Sequence, residues 1–340
     1  MAERRTTTAK RIVSILKEVT SLNVVSAFLK ESGLQHSASS WEVMLERRIL
    51  PAVKDRTLSI ESLVNLLRDS EECGKQHVFL YYCTKPRAAA LMDTNRLEKI
   101  AKKLGLSDLL LEAKILYQPN EEAFTDIRYD EGHKDLKYLT VKSVGTHVSK
   151  KPLSETIKGN LLTCKYELKK ERAVNVIRLS SNGILELRIG SHKSSSNYRK
   201  DLTSLWLKIN SFFPKEYFSE VYLAPLKDKV WKERDSLKNL IRYTNSTLRN
   251  DNGTVLQASS GNIEYDLVDD EGATSSLDEF IEHEAYCDSS NIWFRTQDDG
   301  VPSKNIHVLL SGERNEFAVT SHCIKSDYEY VLSTIRKLNS

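Results

Sequence analysis

Val174-Asn175-Val176-Ile177-Arg178-Leu179-Ser180, then Ser181-Asn182-Gly183, then Ile184-Leu185-Glu186-Leu187-Arg188-Ile189 is the stretch that decides the fold class. Apolar residues alternate on both sides of a Ser-Asn-Gly turn signal, so the spacing predicts two arms of an antiparallel hairpin. Toward the N-terminus, 138–141 and 161–168 carry the same period of two. Toward the C-terminus, Leu202, Leu205, Trp206, Ile209 and Phe212 mark an amphipathic helix ending at Pro214. Leu226, Val230, Trp231, Leu237, Leu240 and Ile241 mark a longer one with Lys and Arg on its wet face. After the turn Asn250-Asp251-Asn252-Gly253, strands are expected at 254–257, 263–268, 291–295, 306–310 and 316–320, with helices near Leu277-Phe280-Ile281 and from Tyr328 to the end.

The first 75 residues have helical spacing instead. Ile12, Val13, Ile15, Leu16 and Val19 form one apolar stripe, and Val24, Val25, Phe28 and Leu29 a second, ended by Gly33. Trp41, Val43, Met44, Leu45 and Ile49 form a third, expected to stop at Pro51. A fourth starts at a Ser59 cap and buries Ile60, Leu63, Val64, Leu66 and Leu67. Four short helices can share one small core. Val78-Phe79-Leu80-Tyr81-Tyr82 reads as a buried strand, followed by helices over 95–104 and 107–117.

The expected class is therefore α+β: an N-terminal helical bundle, then mixed, mostly antiparallel β-sheet domains with packed helices. The expected division is a helical docking module at 1–75, a strand plus helical hairpin at 76–120, a basic α+β domain at 121–249 and an acidic α+β domain at 250–340. The last boundary rests on the Asn250–Gly253 turn and on charge. Between Lys134 and Arg242, 23 Lys and Arg face 11 Asp and Glu, whereas 250–340 carries 6 against 17. A basic segment attracts polyanions, and an acidic one can mask it or bind a basic partner.

Length, 340 residues, suggests more than one domain, and 40% hydrophobic and 29% charged content fits a globular chain with a hydrated surface. No apolar run approaches the ~18 residues of a membrane span. The start, Met1-Ala2-Glu3-Arg4-Arg5-Thr6, lacks the apolar core of a secretory signal. Five scattered cysteines make no disulfide framework, which points to a reducing compartment, the cytoplasm by default.

Four sets of residues are candidates for chemistry. Leu97 to Ser107, with Ala101 and Gly105 at the small and turning positions, has the spacing of a helix-turn-helix, although Asp108, Glu112 and three leucines in the second helix suit base reading poorly. The basic middle supplies phosphate-binding groups: His147, Lys150, Lys151, Lys158, Lys165, Lys169, Lys170 and Arg172, then His192, Lys193, Tyr198, Arg199 and Lys200 in a polar loop, with Tyr198 as a stacking face, and Lys227, Lys229, Lys232, Arg234 and Lys238 on a helix. The lysines up to Lys170 and Arg172 are expected around strand ends and a hairpin corner. His283 and Cys287, four apart on an expected helix, and His322-Cys323 form a zinc-type ligand set without any Cys-x-x-Cys pair. Glu167-Leu168-Lys169 has the Glu-x-Lys spacing of metal-dependent nucleases, with Asp135 or Glu186 as the acidic partner. No phosphate loop, dinucleotide fingerprint or nucleophile elbow is present.

The function expected from these features is non-catalytic binding of nucleic acid through its backbone, DNA rather than RNA. The acidic C-terminal part would serve a protein partner or autoinhibition. A metal-dependent nuclease and a protein-assembly scaffold are the alternatives. No cofactor and no membrane are expected. Protein partners are expected at the helical N-terminus or acidic C-terminus, and self-association is open.

Overall fold

In this computed structural model the chain is described over residues 2–132, 136–192 and 198–340. It forms two compact units, each built from separate stretches: Met1–Arg68, Thr84–Gly183 and Ile189–Pro214 in the first, Asp69–Cys83, Ile184–Arg188 and Lys215–Ser340 in the second. Each combines helices with antiparallel ladders, so the architecture is α+β.

The first unit opens with α1 (Ala2–Val19), α2 (Leu22–Glu31), α3 (Trp41–Met44), a π turn (Leu45–Ile49), α4 (Leu50–Lys54) and α5 (Ile60–Glu71). Their apolar stripes meet in one cluster that includes Ile12, Leu16, Val25, Leu29, Met44, Ile49, Leu63 and Leu67. Each such side chain contributes about 1.5–3 kcal/mol on burial. Ser40 Oγ accepts from Val43 N–H, and Ser59 Oγ accepts from Ser62 N–H, so hydroxyls satisfy otherwise orphaned amides. Pro51 does not end the third helical segment, as its sequence predicts. The π turn precedes it and Leu50 N–H bonds to Leu45 O, so proline falls in the first turn of α4, where its missing donor costs little.

After β1 (Gly74–Tyr82), which belongs to the second unit, come α6 (Lys85–Leu91) and α7 (Thr94–Lys103), the latter capped by Asp93. The helix expected at 107–117 is replaced by one 3-10 turn, Ser107–Leu110. Leu111 is 90% exposed, and Lys114 N–H donates to Thr125 O, drawing the chain toward the sheet. No recognition helix follows α7, which removes the helix-turn-helix.

Three strands complete this unit's sheet: β2 (Ala123–Glu131), β3 (Lys137–Lys158) and β4 (Leu161–Ser180), paired antiparallel in that order. The expected separate strands at 161–168 and 174–179 are one strand. Gly159, at φ 59°, opens the two-residue turn joining β3 to β4, a position suited to glycine in a tight hairpin. β5 (Ile184–Gly190) follows the Ser180–Gly183 turn, and α8 (Arg199–Ile209) buries Leu202, Leu205, Trp206 and Ile209. Asp126 accepts from both Arg68 and Arg128, at 2.8 and 2.7 Å, anchoring α5 to β2.

The second unit adds β6 (Ser219–Glu220), α9 (Ala224–Lys232), α10 (Arg234–Leu237), β7 (Ile241–Arg249), β8 (Val255–Ser259), α11 (Glu271–Glu282), β9 (Tyr286–Phe294), β10 (Ile306–Leu310), β11 (Glu316–His322) and α12 (Lys325–Leu338). Its strands run in the order β5-β1-β11-β10-β9-β7-β8, with β6 on β1. The core combines Val78, Trp231, Tyr243, Ile292, Phe294, Phe317, Tyr328 and Val331. Two expectations are corrected here. The long helix to Ile241 is two short ones, and Ile241 begins a strand. Residues 263–268 form no strand but lead into a 3-10 turn at Leu267–Asp269. The Asn250–Gly253 turn exists, yet it joins β7 and β8, which pair from Asn245–Ser259 to Arg249–Val255.

Gly74 shows how closely β1 approaches β11. Its φ is 75°, and a Cβ there would lie 2.1 Å from Ser321 O. Gly74→Ala is therefore expected to cost about 2–4 kcal/mol, from left-handed strain plus displacement of a paired backbone. A fall in the urea midpoint with unchanged slope is the expected readout. An unchanged midpoint overturns the argument.

Candidate nucleic-acid interface

Beyond Thr146, β3 and β4 run on as a two-stranded ribbon whose residues are almost all exposed from 148 to 170. Residues directly paired in an antiparallel ladder share a face. One face carries the pairs His147–Glu171, Ser149–Lys169, Lys151–Glu167, Ser154–Lys165, Thr156–Thr163 and Lys158–Leu161. Lysines and hydroxyls thus alternate along it. The opposite face carries Val148–Lys170, Lys150–Leu168, Pro152–Tyr166, Glu155–Cys164 and Ile157–Leu162. A bulge at Leu153 lies between Pro152 and Ser154. Between His147 and Arg172 the ribbon holds seven Lys and Arg against three Glu, which leaves it cationic.

At its base the polar face meets the start of α8. The His147 and His192 rings stack at 4.1 Å, and His192 Nε2 lies 3.1 Å from Asp201 Oδ2. Burial, and then the neighbouring His192, lowers the His147 pKa, so its ring is neutral near pH 7. Tyr198 is buried, and its hydroxyl accepts from His192 N–H at 3.0 Å. Deeper still, Glu122 accepts from Lys208, Ser143 and Asn175. Burial pushes that carboxyl's pKa up, but the bonds from Lys208 and Ser143 outweigh it and hold the pKa below the usual value.

The sequence-derived contact residues are therefore sorted by the structure. Lys151, Lys158, Lys165 and Lys169 share the polar face. Lys150 and Lys170 belong to the other. Arg172 is not at a corner but within β4, where it donates to Leu116 O and Tyr117 O and so holds the chain under the sheet. Tyr198 packs inward as a support, not outward as a stacking platform. Arg199 and Lys200 are exposed in the first turn of α8, and Lys193 lies outside the described residues. Lys158 closes the polar face beside the Gly159–Asn160 turn.

Glu167 and Lys169 stand on the open ribbon, where Lys169 pairs with Glu171 at 3.2 Å. Glu186 is committed to Arg188 and Tyr328, and Asp135 lies outside the described residues. Among the described residues no group of three or more His, Cys, Asp or Glu is placed to hold a metal. The zinc-type set does not share a helix: His283 caps α11, Cys287 is on β9, His322 ends β11 and Cys323 follows it. Burial raises the Cys287 thiol pKa and lifts that of Cys323 to about 12, keeping both protonated.

Charges in 215–249 turn inward to the acidic end of the chain. Arg234 pairs with Asp278, Arg242 with Glu264 and Arg249 with Asp288. Lys227 is buried and donates to Asp288 O. These three arginines of the basic stretch are thus matched by acidic residues within the second unit.

Two histidines there respond to pH. Burial, with Arg242 adding, lowers the His307 pKa below 6.5, and burial, with Lys75 and Lys304 adding, does the same for His322. The unfolded state then binds protons first. Stability is full above about pH 6.5 and is lost as pH falls through the folded values. The thermal midpoint is expected to drop between pH 7.5 and 5.5, and His307→Gln to flatten that drop. An equally steep drop in the variant overturns the assignment.

Among the described residues no helix is long and apolar enough to cross a membrane. Neither a protein-family model nor a curated protein matches the chain.

Proposed function

We propose that this protein is a non-catalytic nucleic-acid-binding protein that holds duplex DNA by its backbone through the polar face of the β3–β4 ribbon. The observation that carries this reading is the alignment of Lys151, Lys158, Lys165 and Lys169 on one exposed face, with Ser149, Ser154, Thr156 and Thr163 between them. Ammonium groups neutralise phosphates and hydroxyls donate to phosphate oxygens. The B-form major groove, about 12 Å wide, admits a two-stranded β-ribbon, whereas the deep, narrow major groove of A-form RNA does not. Arg199 and Lys200, beside the ribbon base, extend the cationic track. Of the glutamates on the same face, Glu171 pairs with Lys169 at 3.2 Å, a surface pair worth at most about 1 kcal/mol, which phosphate can displace.

Fluorescence anisotropy with one duplex sequence, as DNA and as RNA, tests the reading. DNA is expected to bind more tightly, with log K falling linearly against log salt at a slope of about −3 to −4, as four phosphate contacts require. Absence of binding at low salt, or equal RNA affinity, overturns it.

A further inference from the structure

The face of the ribbon opposite those lysines is apolar and uncovered. Ile157 is 74% exposed, Leu168 60%, Leu162 54% and Tyr166 50%. Val148 and Pro152 extend the strip, and Cys164 is half-buried. Nearer the sheet the same face is covered by this unit's own chain: Leu116 packs on Val144, Val174 and Val176, while Arg172 grips Leu116 O and Tyr117 O. The open strip therefore runs from the Val148–Lys170 pair to the Ile157–Leu162 pair. Its midpoint is the pair Pro152–Tyr166.

That midpoint has a consequence for pairing with a second copy. A two-fold axis lying across the ribbon at Pro152–Tyr166 stacks two ribbons face to face with their directions reversed. Pairs at equal ladder distance on either side of the axis then meet. Glu155 is paired with Cys164, and Lys150 with Leu168, both two positions from Tyr166 along β4. Glu155 of each copy therefore faces Lys150 of the other, and Cys164 faces Leu168. Ile157 meets Val148, and Leu162 meets the aliphatic stem of Lys170. A self-complementary patch is what a two-fold interface needs.

We propose that this face is a homodimer interface, in which two ribbons stack antiparallel about Pro152–Tyr166. The exposed apolar side chains supply on the order of 600 Å² per copy, close to the lower end of specific protein interfaces. A strip of that size stands at the upper end of the largest apolar patches on monomers, which are often functional. The charges also select the occupant. A uniformly acidic partner would leave Glu155 unmatched and a uniformly basic one Lys150 and Lys170, whereas the reversed copy matches Lys150 with Glu155 twice. The proposal is independent of the nucleic-acid reading, which uses the other face. In the dimer the two lysine faces point outward on opposite sides.

Analytical ultracentrifugation of the full chain across about 0.5–100 µM tests it. A reversible dimer is expected. Leu162→Asp with Tyr166→Asp is expected to weaken it at least about 100-fold, because two charges per copy would be buried without partners. Glu155→Lys alone and Lys150→Glu alone are each expected to weaken it about 10-fold, by setting like charges opposite each other twice. The Glu155→Lys, Lys150→Glu double variant is expected to return to within about threefold of the parent. All four substituted side chains are solvent-exposed, so unchanged circular dichroism and thermal midpoints separate lost pairing from lost folding. A monomer at every concentration, a dimer indifferent to Leu162→Asp with Tyr166→Asp, or a double variant no better than the singles each overturns the proposal. If the chain stays monomeric while DNA affinity falls in the Leu162 and Tyr166 variant, the apolar face belongs to nucleic-acid binding instead.

Discussion

Glu186→Ala is expected to destabilise the second unit by about 3–5 kcal/mol, the cost of leaving one partner of a buried ion pair uncompensated. Glu186 is 1% exposed and Arg188 2%. The guanidinium donates to Glu186 Oε2 through Nη2 at 2.7 Å and Nε at 3.0 Å, and to Glu72 O through Nη1 at 2.9 Å. Tyr328 gives its hydroxyl proton to the same carboxylate oxygen at 2.8 Å, and its ring lies 4.0 Å beneath the guanidinium carbon. Removing the carboxylate takes away two of the guanidinium's hydrogen bonds and the acceptor of the tyrosine hydroxyl together. For a unit of this size the thermal midpoint is expected to fall by about 10 °C. Replacing both members, as Glu186→Leu with Arg188→Met, is expected to recover most of the loss, since apolar residues of similar volume need no partner. Paired denaturation curves check both. A single variant losing under about 1 kcal/mol would mean that water enters the site and solvates Arg188.

This ion pair illustrates what is legible in the sequence and what is not. Apolar and β-branched residues in 174–179 and strict alternation in 184–189 (Leu185, Leu187, Ile189) were enough to place strands there. The alternation also marked Glu186 and Arg188 as lying between apolar neighbours, which suggests an outward polar face. The structure buries them all the same, because β5 lies next to β1 within the sheet and Tyr328 of α12 covers the charges. A strand covered on both faces loses the meaning of alternation, and one sequence does not reveal which strands those are. The same lack of long-range information explains β1, whose partner β11 lies some 240 residues away in pairs such as His77–Ala318.

Local signals also competed. Leu237, Leu240 and Ile241 share helical spacing with the residues before them, yet Ile241 pairs with Phe294 and starts β7. Here tertiary pairing overrides a local periodicity. The leucines at 109–111 suggested a helix, but Gly105 ends α7 and the chain needs its amides for Thr125. The ribbon was half visible. Its lysines were singled out by charge, but Pro152, the Leu153 bulge and the Lys-rich alternation hid that 148–168 is one hairpin with two unlike faces. Charge counted along the chain was misleading in a definite way. Arginines at 234, 242 and 249 lie in the basic stretch by number, and in the acidic stretch by partner.

Lys151→Glu with Lys165→Glu and Lys169→Glu is expected to lower DNA affinity by on the order of 10³ at low salt, the largest binding effect the ribbon predicts. Three phosphate contacts are removed and three repulsions take their place. Each lost contact should take about 0.9 from the salt slope, so a slope near −3.6 should shrink to about −1. That change in slope is the discriminating readout, because a general loss of folding would reduce the bound fraction without altering the slope of what remains. All three residues are exposed, and only Lys169 forms an ion pair in the structure, with Glu171. Folding should therefore be unaffected. Reversing Arg199 and Lys200 provides the internal comparison: they lie outside the four ribbon contacts counted in that slope, so they should cost less affinity and leave the slope near −3.6. If that pair costs more than the ribbon triple, the first turn of α8 holds the phosphates and the ribbon acts only as an arm. If the triple weakens binding equally at every salt concentration, its lysines do not meet phosphates and the ribbon is not the DNA-binding element.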